Sequence, residues 1–181
     1  VLKPVADILR EEGRTVLGLA VQNTLVQMLE RETGIPSMTV TRFLRRHRDL
    51  LEGGDPARVA EARAAMRGTV VLLDEASMVG NADKEKLVRL ANLLELDRFA
   101  SIGDRKQLGA VDAGKPFDVM QQAGVETAVM NINVRAREQA LRRAQYAAQG
   151  GQIDEALRYL GKHVVEVAEG AAVEAAAAWL S

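Results

Sequence analysis

The sequence predicts an α/β fold, a parallel sheet flanked by helices, and three observations carry that prediction. Short apolar, β-branched runs alternate with helically periodic stretches of roughly ten to fifteen residues, the pattern of βαβ units. Hydrophobic residues make up 48% of the chain but aromatic residues only 3%, and an Ala-, Leu- and Val-rich composition suits helices on a sheet better than an all-β sandwich. The run Val70–Leu73 is apolar throughout and passes directly into two carboxylates, Asp74 and Glu75. Such a run reads as a strand buried on both faces, delivering its acids at its C-terminal end. Open α/β sheets bind ligands at that edge.

Size and charge narrow the classes. With 181 residues, the chain is one domain of fair size, or a domain with a small appendage, and can bury a real core. A net charge of −1 gives no global basic field, so any nucleic-acid contact must come from local patches. The absence of cysteine removes disulfides, thiolate zinc sites and cysteine nucleophiles together. Two histidines, His47 and His163, are too few for a histidine-rich metal site. No apolar run reaches membrane-spanning length and no signal peptide is visible, so a cytoplasmic protein without a membrane segment is expected. The chain opens at Val1 without an initiator Met, and a longer parent protein is expected.

Taken in order, Val1–Glu12 has helical spacing at Val1, Val5, Ile8 and Leu9, with Gly13 as the stop. Thr15–Ala20 is a buried strand. Gln22–Thr33 is a helix with Leu25, Val26, Met28 and Leu29 inward, ended by Gly34-Ile35-Pro36. Ser37–Leu51 reads as a helix carrying Arg42, Arg45, Arg46, His47 and Arg48. Such a basic face is either simply solvated or a contact to a phosphate backbone or a neighbouring domain. Gly53-Gly54-Asp55-Pro56 is the clearest loop, and Pro56–Met66 is a further helix. After the strand Val70–Leu73, Met78–Asp83 reads as loop. Asp83–Leu96 is amphipathic, with Leu87, Leu90, Ala91 and Leu94 on one stripe. Arg98–Ile102 is a third strand, Lys115–Gln122 a short helix, and Val125–Ile132 a fourth strand. A helix from Asn133 through Tyr146, a helix Ile153–Leu160, a strand Val164–Val167 and an Ala-rich helix Ala171–Leu180 complete the chain.

Candidate chemistry gathers at strand ends. Asp74 and Glu75 suit a divalent metal and a water, one carboxylate holding Mg²⁺ through its hydration shell and the other orienting the attacking water. The alternative is a helix N-cap made by Asp74 or Ser77. The link Gln22-Asn23-Thr24 is polar and small after a strand; either Asn23 or Thr24 caps the following helix, or the link hydrogen-bonds a phosphodiester backbone. Gly103–Leu108 brings a Gly, an acid, two cations and an amide to another strand end. Gln107 can donate to a phosphate oxygen and accept from a water, as a γ-phosphate sensor must. The alternative there is a polar turn in which Asp104 and Arg105 pair locally.

Three stretches in fixed order, Asp74–Met78 (DEASM), Gly103–Leu108 (GDRKQL) and Asp112–Phe117 (DAGKPF), resemble motifs II and III of RecD-type superfamily 1 helicases. The later NVRAR at Asn133–Arg137 resembles their motif IV, and GLAVQNT with TGIPSMTVTRFL resembles motif Ia and the helix after it. The nearest resemblance is to the helicase part of conjugative relaxase–helicases, and it covers nearly the whole chain. It implies a RecA-like P-loop NTPase motor domain over 1–170, with a helical insertion around 37–67 and a helical connection at 171–181. It implies ATP and Mg²⁺ as cofactors, with Asp74 holding the metal in its outer sphere, Glu75 activating water, Gln107 reading the γ-phosphate and Arg135 stabilising charge on the transferring phosphoryl. Gln22, Asn23 and Thr24 fall on the loop that touches single-stranded DNA, where many relatives carry Pro-Thr-Gly or Pro-Thr-His. Ala136 stands where a Gln is usual. The implied partners are single-stranded DNA, a second motor domain and a relaxase domain.

No G-x-x-x-x-G-K-[ST] occurs in the sequence, although cradling a triphosphate needs such a loop. The expectation is therefore an ATP-driven helicase as the parent, with the phosphate loop upstream of Val1, the second motor domain beyond Ser181, and these residues alone inactive. Two other classes stand beside it. One is a non-catalytic helicase-like module that binds single-stranded DNA or serves recognition in a relaxase. The other is an unrelated Mg²⁺-dependent phosphoryl-transfer enzyme, which would need a phosphate loop of its own.

Overall fold

The computed structural model describes residues 2–104, 116–130, 136–161, 164 and 171. The chain divides into two compact units, Val1–Thr127 and Ala128–Ser181.

The first unit is a four-stranded parallel sheet between two helical layers. Its strands are β1 (Thr15–Ala20), β2 (Ser37–Thr39), β3 (Thr69–Leu73) and β4 (Arg98–Ser101), in the order β2-β1-β3-β4. All five residues of β3 are buried, as an unbroken apolar run in a central parallel strand demands. Each such Val or Leu contributes roughly 1.5–3 kcal/mol by leaving water. The two-residue alternation then sorts the core. Val16, Val70, Leu72 and Ala100 face α1 (Leu2–Glu11) and α2 (Asn23–Thr33), meeting Ala6 and Leu29. Leu17, Leu19, Val71, Leu73 and Phe99 face the other layer, meeting Phe43, Leu44, Leu87, Leu90 and Leu94. That layer holds α3 (Val40–Arg46), α4 (Arg48–Leu51), α5 (Pro56–Ala65), α6 (Asn81–Leu93) and α7 (Pro116–Gln122).

Gly18 lets the edge strand close on β1. A Cβ there would collide with Ser37 Oγ and come within 2.7 Å of Leu29 Cδ2, so a side chain at 18 would push both β2 and α2 away.

Several expectations are corrected. Ser37–Leu51 is not one helix. Residues 37–39 pair with Gly18–Ala20 as an edge strand, and α3 starts only at Val40, where the Thr39 hydroxyl accepts from the Arg42 amide. That cap fixes the helix start, and His47 interrupts the run between α3 and α4. Met28 is 45% exposed rather than inward, because α2 rests on the sheet chiefly through Leu29. Met78–Asp83 is not a loop throughout, since a 3-10 turn at Ala76–Met78 leads to α6 at Asn81. The expected strand at 125–132 is absent over Val125–Met130, which is exposed and unpaired among the described residues; 131 and 132 lie outside them. Among the described residues, the fourth strand of the sheet is the three-residue β2.

The second unit contains α8 (Gln139–Gln149) and α9 (Ile153–Leu160), joined through Gly150-Gly151 and packed through Ala144, Ala147 and Ala156. Of the helix expected from Asn133, 133–135 lie outside the described residues, 136–138 are not helical, and α8 begins at Gln139. Val164 is not in a strand; 165–167 and the Ala-rich helix beyond 171 lie outside the described residues. Among the described residues, no helix is long and apolar enough to cross a membrane.

Candidate functional site

Parallel register brings three strand ends to one edge. Leu19 lies opposite Leu73, and Leu73 opposite Ser101, so Val21-Gln22-Asn23, Asp74-Glu75 and Ile102-Gly103-Asp104 leave the sheet side by side. The ladder continues past the strands. The Asp74 amide donates to the Leu19 carbonyl (2.8 Å), the Ile102 amide to the Leu73 carbonyl (2.8 Å), and the Ala76 amide to the Ile102 carbonyl (2.7 Å). Asp74 is thus tied to β1, and the turn after Glu75 is tied to the exit of β4.

Glu75 makes that turn at a cost. Its φ of 48° and ψ of 44° are left-handed, which costs a residue with a Cβ roughly 1–2 kcal/mol. The reversal starts the 3-10 turn at Ala76–Met78 and aims the Ala76 amide at β4. Gly103 completes the contact. A Cβ on it would lie 3.1 Å from the Ser77 nitrogen, 3.2 Å from the Ala76 nitrogen and 3.5 Å from Phe117 Cζ. Two sequence stretches some thirty residues apart are therefore pressed backbone to backbone. Asp74 and Glu75 are both half-buried. The Ser77 hydroxyl is buried with no hydrogen-bond partner among the described residues, and the cap positions of the 3-10 turn and of α6 are Glu75 and Gly80 without side-chain bonds, so neither Ser77 nor Asp74 caps a helix.

Gln22, Asn23 and Thr24 are exposed at the same edge. Gln22 is the N-cap of α2 but makes no side-chain cap bond, and none of the three side chains hydrogen-bonds among the described residues. Their polar groups remain open to a ligand. Gln107 and Arg135 lie outside the described residues, as do Arg105, Lys106 and Leu108.

Asp74 and Glu75 offer hard oxygen donors that suit Mg²⁺ held through water. Among the described residues, no group of three His, Cys, Asp or Glu side chains could hold a metal ion. Two carboxylates leave most of a Mg²⁺ coordination sphere to water and to phosphate oxygens.

One neighbour of the site escaped the sequence reading. Lys84, on α6, is only 2% exposed. Its Nζ donates to Ser101 Oγ at 2.6 Å and lies 5.3 Å from the centre of the Phe99 ring, and burial pushes its pKa down to about 8. The signal was present in the sequence, because Lys84 stands three residues before Leu87 on the same apolar stripe. It joins α6 to Ser101, the last residue of β4, two positions before Gly103.

A family model described as an AAA domain matches residues 1–170. The chain is also 28% identical over 158 residues to the Multifunctional conjugation protein TraI of Escherichia coli (strain K12). That match takes in 87% of this chain and 8% of the relative's length.

Proposed function

The chain belongs to the AAA domain family, and from that premise we propose that it is the nucleotide-binding part of a DNA helicase motor working in conjugative transfer. The observation that supports this reading most is the joining of the Asp74–Glu75 turn to the Gly103 turn at the C-terminal edge of the sheet. A motor must sense the nucleotide and respond elsewhere. Here the acidic turn is bonded to Ile102 and packed against Gly103, four residues before Gln107 in the sequence, which supports such a coupling.

Each residue takes a role in that reading. Asp74 holds the water shell of Mg²⁺, and Glu75 accepts a proton from the attacking water and aims it. Gln107 contacts the γ-phosphate, and Arg135 offsets the charge that develops on the phosphoryl oxygens. ATP with Mg²⁺ supplies the phosphoryl group and a positive clamp on its oxygens. Gln22, Asn23 and Thr24, open at the neighbouring strand end, hydrogen-bond the backbone of single-stranded DNA. Because the sequence contains no G-x-x-x-x-G-K-[ST], the 181 residues alone are expected to hydrolyse no ATP.

The test is ATP hydrolysis by the full-length protein that carries this domain, with and without single-stranded DNA. Hydrolysis stimulated by DNA is expected. DNA binding with no hydrolysis under any condition would overturn the motor reading in favour of a non-catalytic recognition module.

A further inference from the structure

The layer that carries α3, α4 and α6 contains a cleft of about 540 Å³ whose walls are basic. Arg45 and Arg48 enter it from α3 and α4, and Lys86 and Arg89 from α6. Leu44 and Leu51 give it an apolar lining. Lys86 and Arg89 are three residues apart on one helix and so share a face. All four cations are exposed.

The acids of the cleft are already engaged. Glu52 pairs with Arg48 at 2.7 Å, and Asp83 with Lys86 at 3.5 Å. Among the described residues, that leaves the guanidiniums of Arg45 and Arg89 without a carboxylate. Arg89 is aimed by its bond to the Leu51 carbonyl (3.2 Å), and Arg45 makes no ion pair or hydrogen bond among the described residues. A chain with a net charge of −1 thus concentrates surplus positive charge from separate helices in one concave space. The cleft is also well placed. Thr41, on its lining, follows two residues after Thr39, which pairs with Ala20 at the end of β1. One end of the cleft therefore lies at the sheet edge that carries Gln22–Thr24 and Asp74–Glu75.

We infer that this cleft is a second binding site for the phosphodiester backbone of single-stranded DNA, running from the strand ends down between α3–α4 and α6. The choice of DNA as the polyanion rests on the motor reading above; the basic cleft itself does not. Two planar guanidiniums with no internal acid match phosphate oxygens in charge and hydrogen-bond geometry. The contacts are to phosphate, so they hold DNA of any sequence.

The experiment is fluorescence anisotropy of a dye-labelled oligothymidylate titrated with the protein over a salt series from about 50 to about 200 mM. Three variants are compared with the wild type: Arg45→Ala with Arg89→Ala, Arg45→Lys with Arg89→Lys, and Arg31→Ala on α2 in the opposite layer. The double alanine variant is expected to bind about tenfold more weakly, with a salt slope shallower by about 1.4 for the two lost phosphate contacts. The double lysine variant keeps most of the slope, and Arg31→Ala binds like wild type. Wild-type affinity and slope in the double alanine variant overturn the cleft but leave the motor reading standing. A loss in Arg31→Ala as large as in the double variant overturns it as well, by showing diffuse charge. A wild type that binds no DNA overturns the cleft, while hydrolysis by the full-length protein decides the motor reading separately. Displacement of the DNA by polyglutamate at equal charge concentration assigns the cleft to an acidic protein segment and overturns the DNA assignment.

Discussion

Replacing Lys84 by Met should make the protein more stable at neutral pH, and the size of the effect follows from where the ammonium sits. Burial lowers its pKa from 10.5 to about 8. That gap of about 2.5 units corresponds to about 3 kcal/mol by which the charged side chain disfavours folding at pH 7. Met retains the unbranched stem against Phe99 and removes the charge. It also forfeits the bond to Ser101 Oγ, at about 1 kcal/mol, and the ammonium's contact with the Phe99 ring, at about 0.5–1 kcal/mol. The variant should gain about 1–2 kcal/mol at pH 7. The pH dependence has a definite sign. Below about pH 8 both folded and unfolded states are protonated, and the cost is present in full. Between about 8 and 10.5 the folded protein has shed the proton while the unfolded chain keeps it, so stability rises with pH. Wild type should therefore recover about 2 kcal/mol relative to the variant between pH 7.5 and 9.5. Urea unfolding of both proteins at the two pH values measures the difference directly. A variant less stable than wild type at pH 7, with a gap that does not move with pH, would refute the idea that a buried ammonium costs stability here.

Three further outcomes are expected at the strand ends. Gly103→Ala forces a Cβ to 3.1 and 3.2 Å from two backbone nitrogens, and the Ala76–Ile102 bond limits how far they can retreat. A loss of about 1–3 kcal/mol in urea unfolding should follow, and an unchanged midpoint would show that the turns are not locked together. Glu75→Gly removes the left-handed strain at φ 48° and should stabilise the domain by about 1 kcal/mol while abolishing hydrolysis in the full-length protein; thermal unfolding beside an ATPase assay would show the trade. Glu75→Gln in the full-length protein should lower hydrolysis by roughly 10²–10⁴-fold with nucleotide binding retained. Wild-type turnover in that variant would remove Glu75 from the role of water activator.

The site was legible in the sequence only where chemistry followed a strongly patterned strand. Val70–Leu73 could be little other than a buried strand, so Asp74 and Glu75 were placed at a sheet edge from sequence, and the structure has them there. Asn23 and Thr24 were ambiguous between a cap and a ligand contact. The answer depended on backbone geometry, and the cap position fell to Gln22 without a side-chain bond. Lys84 went unread because a cation three residues before Leu87 on an apolar stripe looks the same in sequence whether its end reaches water or turns under a strand, as it does toward Ser101.

By itself the sequence determined the alternation of layers. The apolar runs of β1, β3 and β4 and the periodic helices between them are local patterns, and burial of such patterns has one economical solution, a parallel sheet covered on both faces. Tertiary structure alone decided what has no local signature. Ser37–Thr39 carries too few apolar residues to announce a strand, and becomes one because Gly18 leaves room beside β1. Val125–Met130 is apolar enough to be a strand, yet no described neighbour offers it a ladder. Pairing is a property of two segments, and only the assembled sheet can supply the second.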